Sequence, residues 1–117
     1  MKLEGEQVLL RLHLSNFARW HTAPVYEAVL NKARKLHLAG ATVLSGMYGY
    51  VERGHILGER SRLFQIERPV VVEIVDREEA LRELLAAIEP MLAGHAARIT
   101  MERAHVVHYR GGEGAPS

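Results

Sequence analysis

The sequence predicts an α+β domain of order βαββαβ, a ferredoxin-like, antiparallel four-stranded sheet with two helices on one face. Three observations carry that expectation. An alternating run opens the chain, two amphipathic helical stretches each lead into a glycine, and a valine-rich run at Pro69–Val75 follows a long polar segment. The two halves read as strand-helix-strand units joined by that segment.

Gln7 to Leu14 sets Val8, Leu10, Leu12 and Leu14 against Leu9, Arg11 and His13, a period-two strand with one apolar face. Thr22 is the expected cap of a first helix over about Ala23 to Leu38, with Pro24 in its first turn and Gly40 as its stop. Val25, Ala28, Val29, Ala33 and Leu36 fall on one face of it. Ala41 to Tyr50 has strand composition, whereas Val51 to Arg68 is too long and too rich in Arg, Glu and Gly for a simple hairpin connection. Asp76 with Glu79 resembles a capping box, and Leu81, Leu84, Leu85 and Ile88 mark a second helix that Pro90 kinks or ends before Gly94. Ile99 to Tyr109 is the last strand. Apolar residues on both faces of the second and third strands predict oligomerisation through the face that the helices leave open.

Composition narrows the function classes. Of 117 residues, 48% are hydrophobic and 25% charged, as in ordinary globular domains. Lys and Arg number 15 against 14 Asp and Glu, so a net charge of +1 supplies no bulk attraction for nucleic acid or membrane. Zero cysteines remove thiol chemistry and thiolate metal sites. The N-terminal residues hold no apolar signal core, and no apolar run approaches the roughly 20 residues that span a bilayer. The expectation is a cytoplasmic protein without nucleic-acid binding or direct membrane insertion.

Several blocks carry a family resemblance: Pro24-Val25-Tyr26-Glu27, Leu38-Ala39-Gly40-Ala41-Thr42-Val43, Gly46 with Gly49-Tyr50, and the run from Pro69 to Asp76. Together these resemble the PII-like proteins of the domain-of-unknown-function 190 family, over about Val8 to Tyr109. The resemblance implies a single PII-like domain over 1–117, with a core of about 7–110, a T-loop-like segment at 50–68 and a flexible tail at 111–117. It also implies a homotrimer that binds an adenine nucleotide or a cyclic dinucleotide between subunits and contacts a partner protein, such as a membrane transporter, through the T-loop. Gly46, Tyr48, Gly49, Tyr50, Arg53, Gly54 and His55 are the ligand-binding residues carried over. Glycine amides and an arginine suit an anionic group, although the same glycines also suit strand bends. The chain departs from the PII pattern at Leu92–Arg98, where the Gly-rich, lysine-bearing B-loop is absent.

Catalytic signals are weak. Ser45 and Ser61 have no nucleophile-elbow context, and spacing pairs no carboxylates, so the expectation is a regulatory protein and not an enzyme. Seven histidines leave one alternative, because His13 on the first strand could meet His105 or His108 on the last and hold a metal. That alternative is a small ferredoxin-like enzyme or metal-binding protein. A second alternative is an interaction module without a ligand.

Overall fold

The computed structural model describes residues 3–53, 55–57, 60–62 and 65–112. In chain order the elements are β1 (Gly5–Ser15), β2 (Arg19–Trp20), β3 (Ala23–Pro24), α1 (Val25–Lys35), β4 (Thr42–Ser45), β5 (Gly49–Glu52) and β6 (His55–Leu57). They continue with β7 (Arg60–Arg62), β8 (Gln65–Ile66), β9 (Pro69–Asp76), α2 (Glu78–Leu92) and β10 (Ala97–Val106). The main sheet runs β10-β1-β9-β4, every neighbour antiparallel, which is the expected ferredoxin-like order. No described helix is long and apolar enough to cross a membrane.

Alternation decides the core. Leu10, Leu12 and Leu14 of β1 and Val70, Val72 and Ile74 of β9 are buried on the helix side. Val25, Val29 and Ala33 of α1 and Leu81, Leu84 and Ile88 of α2 meet them, spaced three or four residues apart as one helix face requires. Each fully buried Leu, Val or Ile contributes about 1.5–3 kcal/mol.

Helix α1 differs from expectation at both ends. Pro24 takes the N-cap place with no side-chain cap bond, so Thr22 does not cap. At the other end His37, not Gly40, stops the helix: its φ is 61°, its N–H donates to the Arg34 carbonyl at 3.0 Å, and Leu38 N–H donates to Ala33 at 3.1 Å. That pair of bonds is a Schellman motif with histidine in the position glycine usually fills. The expected capping box at α2 also fails to form, because Arg77 is the N-cap without a side-chain bond. Asp76 is instead fully buried: Oδ1 accepts from Arg77 N–H at 2.7 Å and Oδ2 from Ala39 N–H at 2.8 Å. One carboxylate thus joins the α1–β4 connection to the start of α2. Pro90 lies inside α2, which continues to Leu92 before Gly94 turns the chain at φ 81°.

Two expected strands are shorter than composition suggested. β4 stops at Ser45, one residue before Gly46, whose N–H still donates to the Pro69 carbonyl at 2.7 Å, and the chain re-forms at Gly49–Glu52 in a separate hairpin with His55–Leu57. The segment expected to lack tight hairpins therefore begins with one, in which Glu52 pairs with His55. β10 ends at Val106, after which Tyr109 N–H bonds Glu4 and its hydroxyl bonds the Ala39 carbonyl at 3.3 Å. Residues 113–117 of the expected tail lie outside the described residues.

The open face is more polar than expected. Its rows pair Leu9 with Val75 and Glu102, Arg11 with Glu73 and Thr100, and His13 with Val71 and Arg98. Arg11 donates to Glu73 at 2.9 Å and to Glu102 at 2.6 Å across three strands. Beside this network His13 is held below its ordinary titration range, chiefly by desolvation and further by Arg98 and Arg11.

Three outcomes follow for stability. Asp76→Ala, which orphans two N–H groups beside the core, is expected to cost about 3 kcal/mol in urea unfolding. His37→Gly relieves a left-handed non-glycine residue and should stabilise by about 1 kcal/mol in the same measurement. Because His13 titrates lower in the folded chain than in the unfolded one, the unfolded chain binds more protons between those values. Stability should therefore fall as pH drops through the ordinary 6.5. His13→Gln should flatten that part of the profile, and the His13 proton-NMR midpoint should lie below 6.5.

Candidate functional site

The β5–β6 hairpin meets the end of β1 and the turn between α2 and β10, and between them lies a cleft of about 270 Å³. Ser15, Phe17 and Ala18 line one wall, Val51, Glu52, His55 and Leu57 another, and Glu67 with Gly94, His95 and Ala96 the rest. Leu57 is buried and anchors the hairpin to the body.

Local chemistry explains why the chain closes here. Ser15 is the last residue of β1 and pairs with Pro69, so the next residue, Asn16, meets the chain just before β9. Asn16 N–H donates to the Arg68 carbonyl at 3.0 Å, its Oδ1 accepts from Arg68 N–H at 2.8 Å, and its Nδ2 donates to Ile66 at 3.3 Å. An asparagine amide here continues the ladder after the strand has ended. Ser15 Oγ accepts from Phe17 N–H at 3.0 Å and donates to Glu67 Oε2 at 2.5 Å. The other Glu67 oxygen lies 3.1 Å from His55 Nε2. On the opposite wall His95 N–H donates to Leu92, and its Nε2 lies 2.9 Å from the Arg19 carbonyl, so Nε2 carries the proton of that bond. The described lining thus offers two carboxylates and two imidazoles, with no lysine or arginine.

Of the six carried-over residues that are among the described ones, His55 alone lines this cleft. Gly46 and Gly49 lie against Pro69: a Cβ on Gly46 would stand 2.9 Å from Pro69 Cγ, and one on Gly49 3.4 Å. Close backbone approach therefore accounts for Gly46, whose N–H is already committed to Pro69. Tyr48 and Tyr50 are 71% and 63% exposed, Arg53 is exposed, and Gly54 lies outside the described residues. The histidine alternative loses its geometry within one protomer. His13 pairs with Arg98, whereas His105 pairs with Glu6 at the far end of β1 and its Nδ1 is 2.7 Å from that carboxylate. His108 lies beside Glu4 at the same far end, and no group of three potential metal ligands occurs among the described residues.

Ser15, Glu67 and His95 were not picked out as site residues by sequence reasoning. A Ser-Asn pair at a strand end was the available signal, but its target, 50 residues away, depends on strand register.

Comparison with known proteins sets this geometry in a family. The family model DUF190, described as an uncharacterized ACR, matches residues 7–106. A UPF0166 protein of Aquifex aeolicus (strain VF5) is 34% identical over 102 residues, covering 86% of this chain and 92% of that protein. Among solved structures, CPII from Thiomonas intermedia K12, a nitrogen regulatory PII-like protein bound to ADP, AMP and bicarbonate, has a TM-score of 0.67 at 16% identity over 92% of each chain. A PII-like signaling protein from Thermus thermophilus has a TM-score of 0.61 at 18% identity, covering 92% of this chain and 94% of that one. These two likenesses establish the fold, and the match across 7–106 with the 34% identical relative establishes the family. The chain belongs to the domain-of-unknown-function 190 family and has the PII-like, ferredoxin-like fold.

Proposed function

We propose that this protein is a PII-like ligand sensor, working in the cytoplasm without catalysing a reaction. A small anionic ligand, with an adenine nucleotide as the first choice, binds at the cleft beside the hairpin and orders the segment 50–68, which contacts a partner protein. The observation that carries this reading is the cleft itself, where the hairpin, the end of β1 and the α2–β10 turn converge on polar side chains. Support from likeness comes from CPII, which shares the fold and is bound to ADP, AMP and bicarbonate.

The cleft requires help from outside its own walls. Nucleotide phosphates need cations, and the described lining holds carboxylates and imidazoles instead. A neighbouring subunit is the natural source, which accords with a homotrimer assembled through the open face. That face carries Leu44 at 47% exposure beside Val71, and an apolar hollow of about 480 Å³ between Leu9, Val75 and Tyr109. Arg53, exposed at the hairpin next to Glu52 of the cleft wall, is the cation assigned to a bound phosphate.

Calorimetry with ADP, AMP, ATP and cyclic dinucleotides tests the reading. One of these should bind, Arg53→Ala should weaken it about tenfold while leaving unfolding unchanged, and Leu44→Asp should break the assembly in light scattering. Absence of both heat and thermal shift across the panel would sink the sensing role.

A further inference from the structure

Glu67 closes the cleft by a contact that bridges two parts of the molecule. Its side chain is only 18% exposed although it sits at the end of the polar segment. One oxygen is held by the Ser15 hydroxyl, on the rigid sheet, and the other faces the His55 imidazole, on the hairpin. The carboxylate is therefore occupied on both oxygens, by donors from two separate elements. Ser15 is itself fixed by Phe17 N–H, and the chain beside Glu67 is fixed by Asn16, so the Ser15 hydroxyl stands ready whether or not Glu67 points inward.

We propose that Glu67 is an internal competitor: its carboxylate fills a small-anion subsite made by Ser15 and His55, and an incoming carboxylate-like or phosphate group takes its place, so that the ligand instead of Glu67 ties the hairpin to the sheet. The proposal rests on the cleft being an anion site, as in the function proposed above, and adds the residue that couples occupancy to the hairpin. The argument is one of donor matching. A hydroxyl and an imidazole N–H placed to grip the two oxygens of one carboxylate will grip any group that presents two oxygens on one atom. While Glu67 holds them, ligand affinity is lowered by the fraction of molecules in which the donors are free. Conversely, a ligand that binds only the vacated donors must shift the population toward the opened contact. Glu52, the other carboxylate on the cleft wall, faces solvent, whereas Glu67 is engaged, so the competition falls to Glu67. His95 on the opposite wall is engaged with Arg19 and leaves the donor pair unopposed.

The test uses the full chain, with acetate and inorganic phosphate as probes and hydrogen exchange of the His55–Leu57 amides as the readout. Acetate reports a carboxylate subsite and phosphate a phosphoryl one. Glu67→Gln and Glu67→Ala should each bind at least one probe about tenfold more tightly than the parent, and both should exchange faster at His55–Leu57. Saturating probe should slow that exchange again in both Glu67 variants, because the bound group restores the link between Ser15 and His55. Ser15→Ala in the Glu67→Ala background should cancel the gain. Equal or weaker probe binding in both Glu67 variants, or unchanged exchange, overturns the proposal. ADP calorimetry on the same samples separates the two readings: ADP binding with no gain for either probe leaves the sensing function standing and removes only the role of Glu67. A parent chain and Glu67 variants that bind neither probe nor ADP remove both.

Discussion

The antiparallel register of β1 against β9 is the constraint on which the rest of the molecule depends. It sets Leu10, Leu12 and Leu14 beside Ile74, Val72 and Val70 and turns all six toward the helices. Because side chains alternate with a period of two, a slip of β1 by one residue would send Leu10, Leu12 and Leu14 to the open face and bring Arg11 and His13 into the core. The same register places Ser15 opposite Pro69, which brings Asn16 against Arg68 and Ser15 against Glu67. Core and cleft are thus two consequences of one alignment, and a change that loosened the first would displace the second.

At the opposite end of that strand pair Val8 faces Asp76, the one buried charged side chain among the described residues. A carboxylate with both oxygens engaged by backbone N–H groups is tolerable in a core, whereas an apolar residue there would strand those two donors. Asp76 therefore ties the α1–β4 connection to the α2 start where neither helix has a side-chain cap. The end of α1 relies on the same kind of local closure, with His37 and Leu38 satisfying two terminal carbonyls.

What the sequence reveals and what it hides divide along the range of the interactions. Periodicity is local, so Leu10–Leu14, Val25–Ala33 and Leu81–Ile88 announce their buried faces directly, and the order of elements yields the sheet. Asp76 looks like a helix cap because a cap needs only neighbours; its actual partner at Ala39 is 37 residues away. Gly40 looks like the helix stop because glycine is the common choice, yet His37 takes the left-handed turn earlier in the chain. For the cleft, His55 is legible through the family resemblance, while Ser15 and Glu67 meet only through strand register. Gly46 is legible as a glycine with a purpose, but its purpose here is the close approach of Pro69, which no run of adjacent residues displays.

The open face illustrates how a polar network can coexist with association. Arg11, Glu73 and Glu102 lie across three strands, and each charge is paired within its own protomer before any partner arrives. A second copy laid on this face would have to remove water from the network but would not have to separate an ion pair, which keeps the desolvation cost below that of burying lone charges. Apolar rows flank the network: Leu9 with Val75 on one side, Val71 with Leu44 on the other. Their burial would supply the favourable term at roughly 25 cal/mol per Å². His13, kept low in its titration by desolvation and by Arg98 and Arg11, resists taking on a charge that association would have to bury. Self-paired charges bordered by apolar rows are therefore compatible with a sheet face that meets its own copy, and the ion pairs contribute orientation more than affinity.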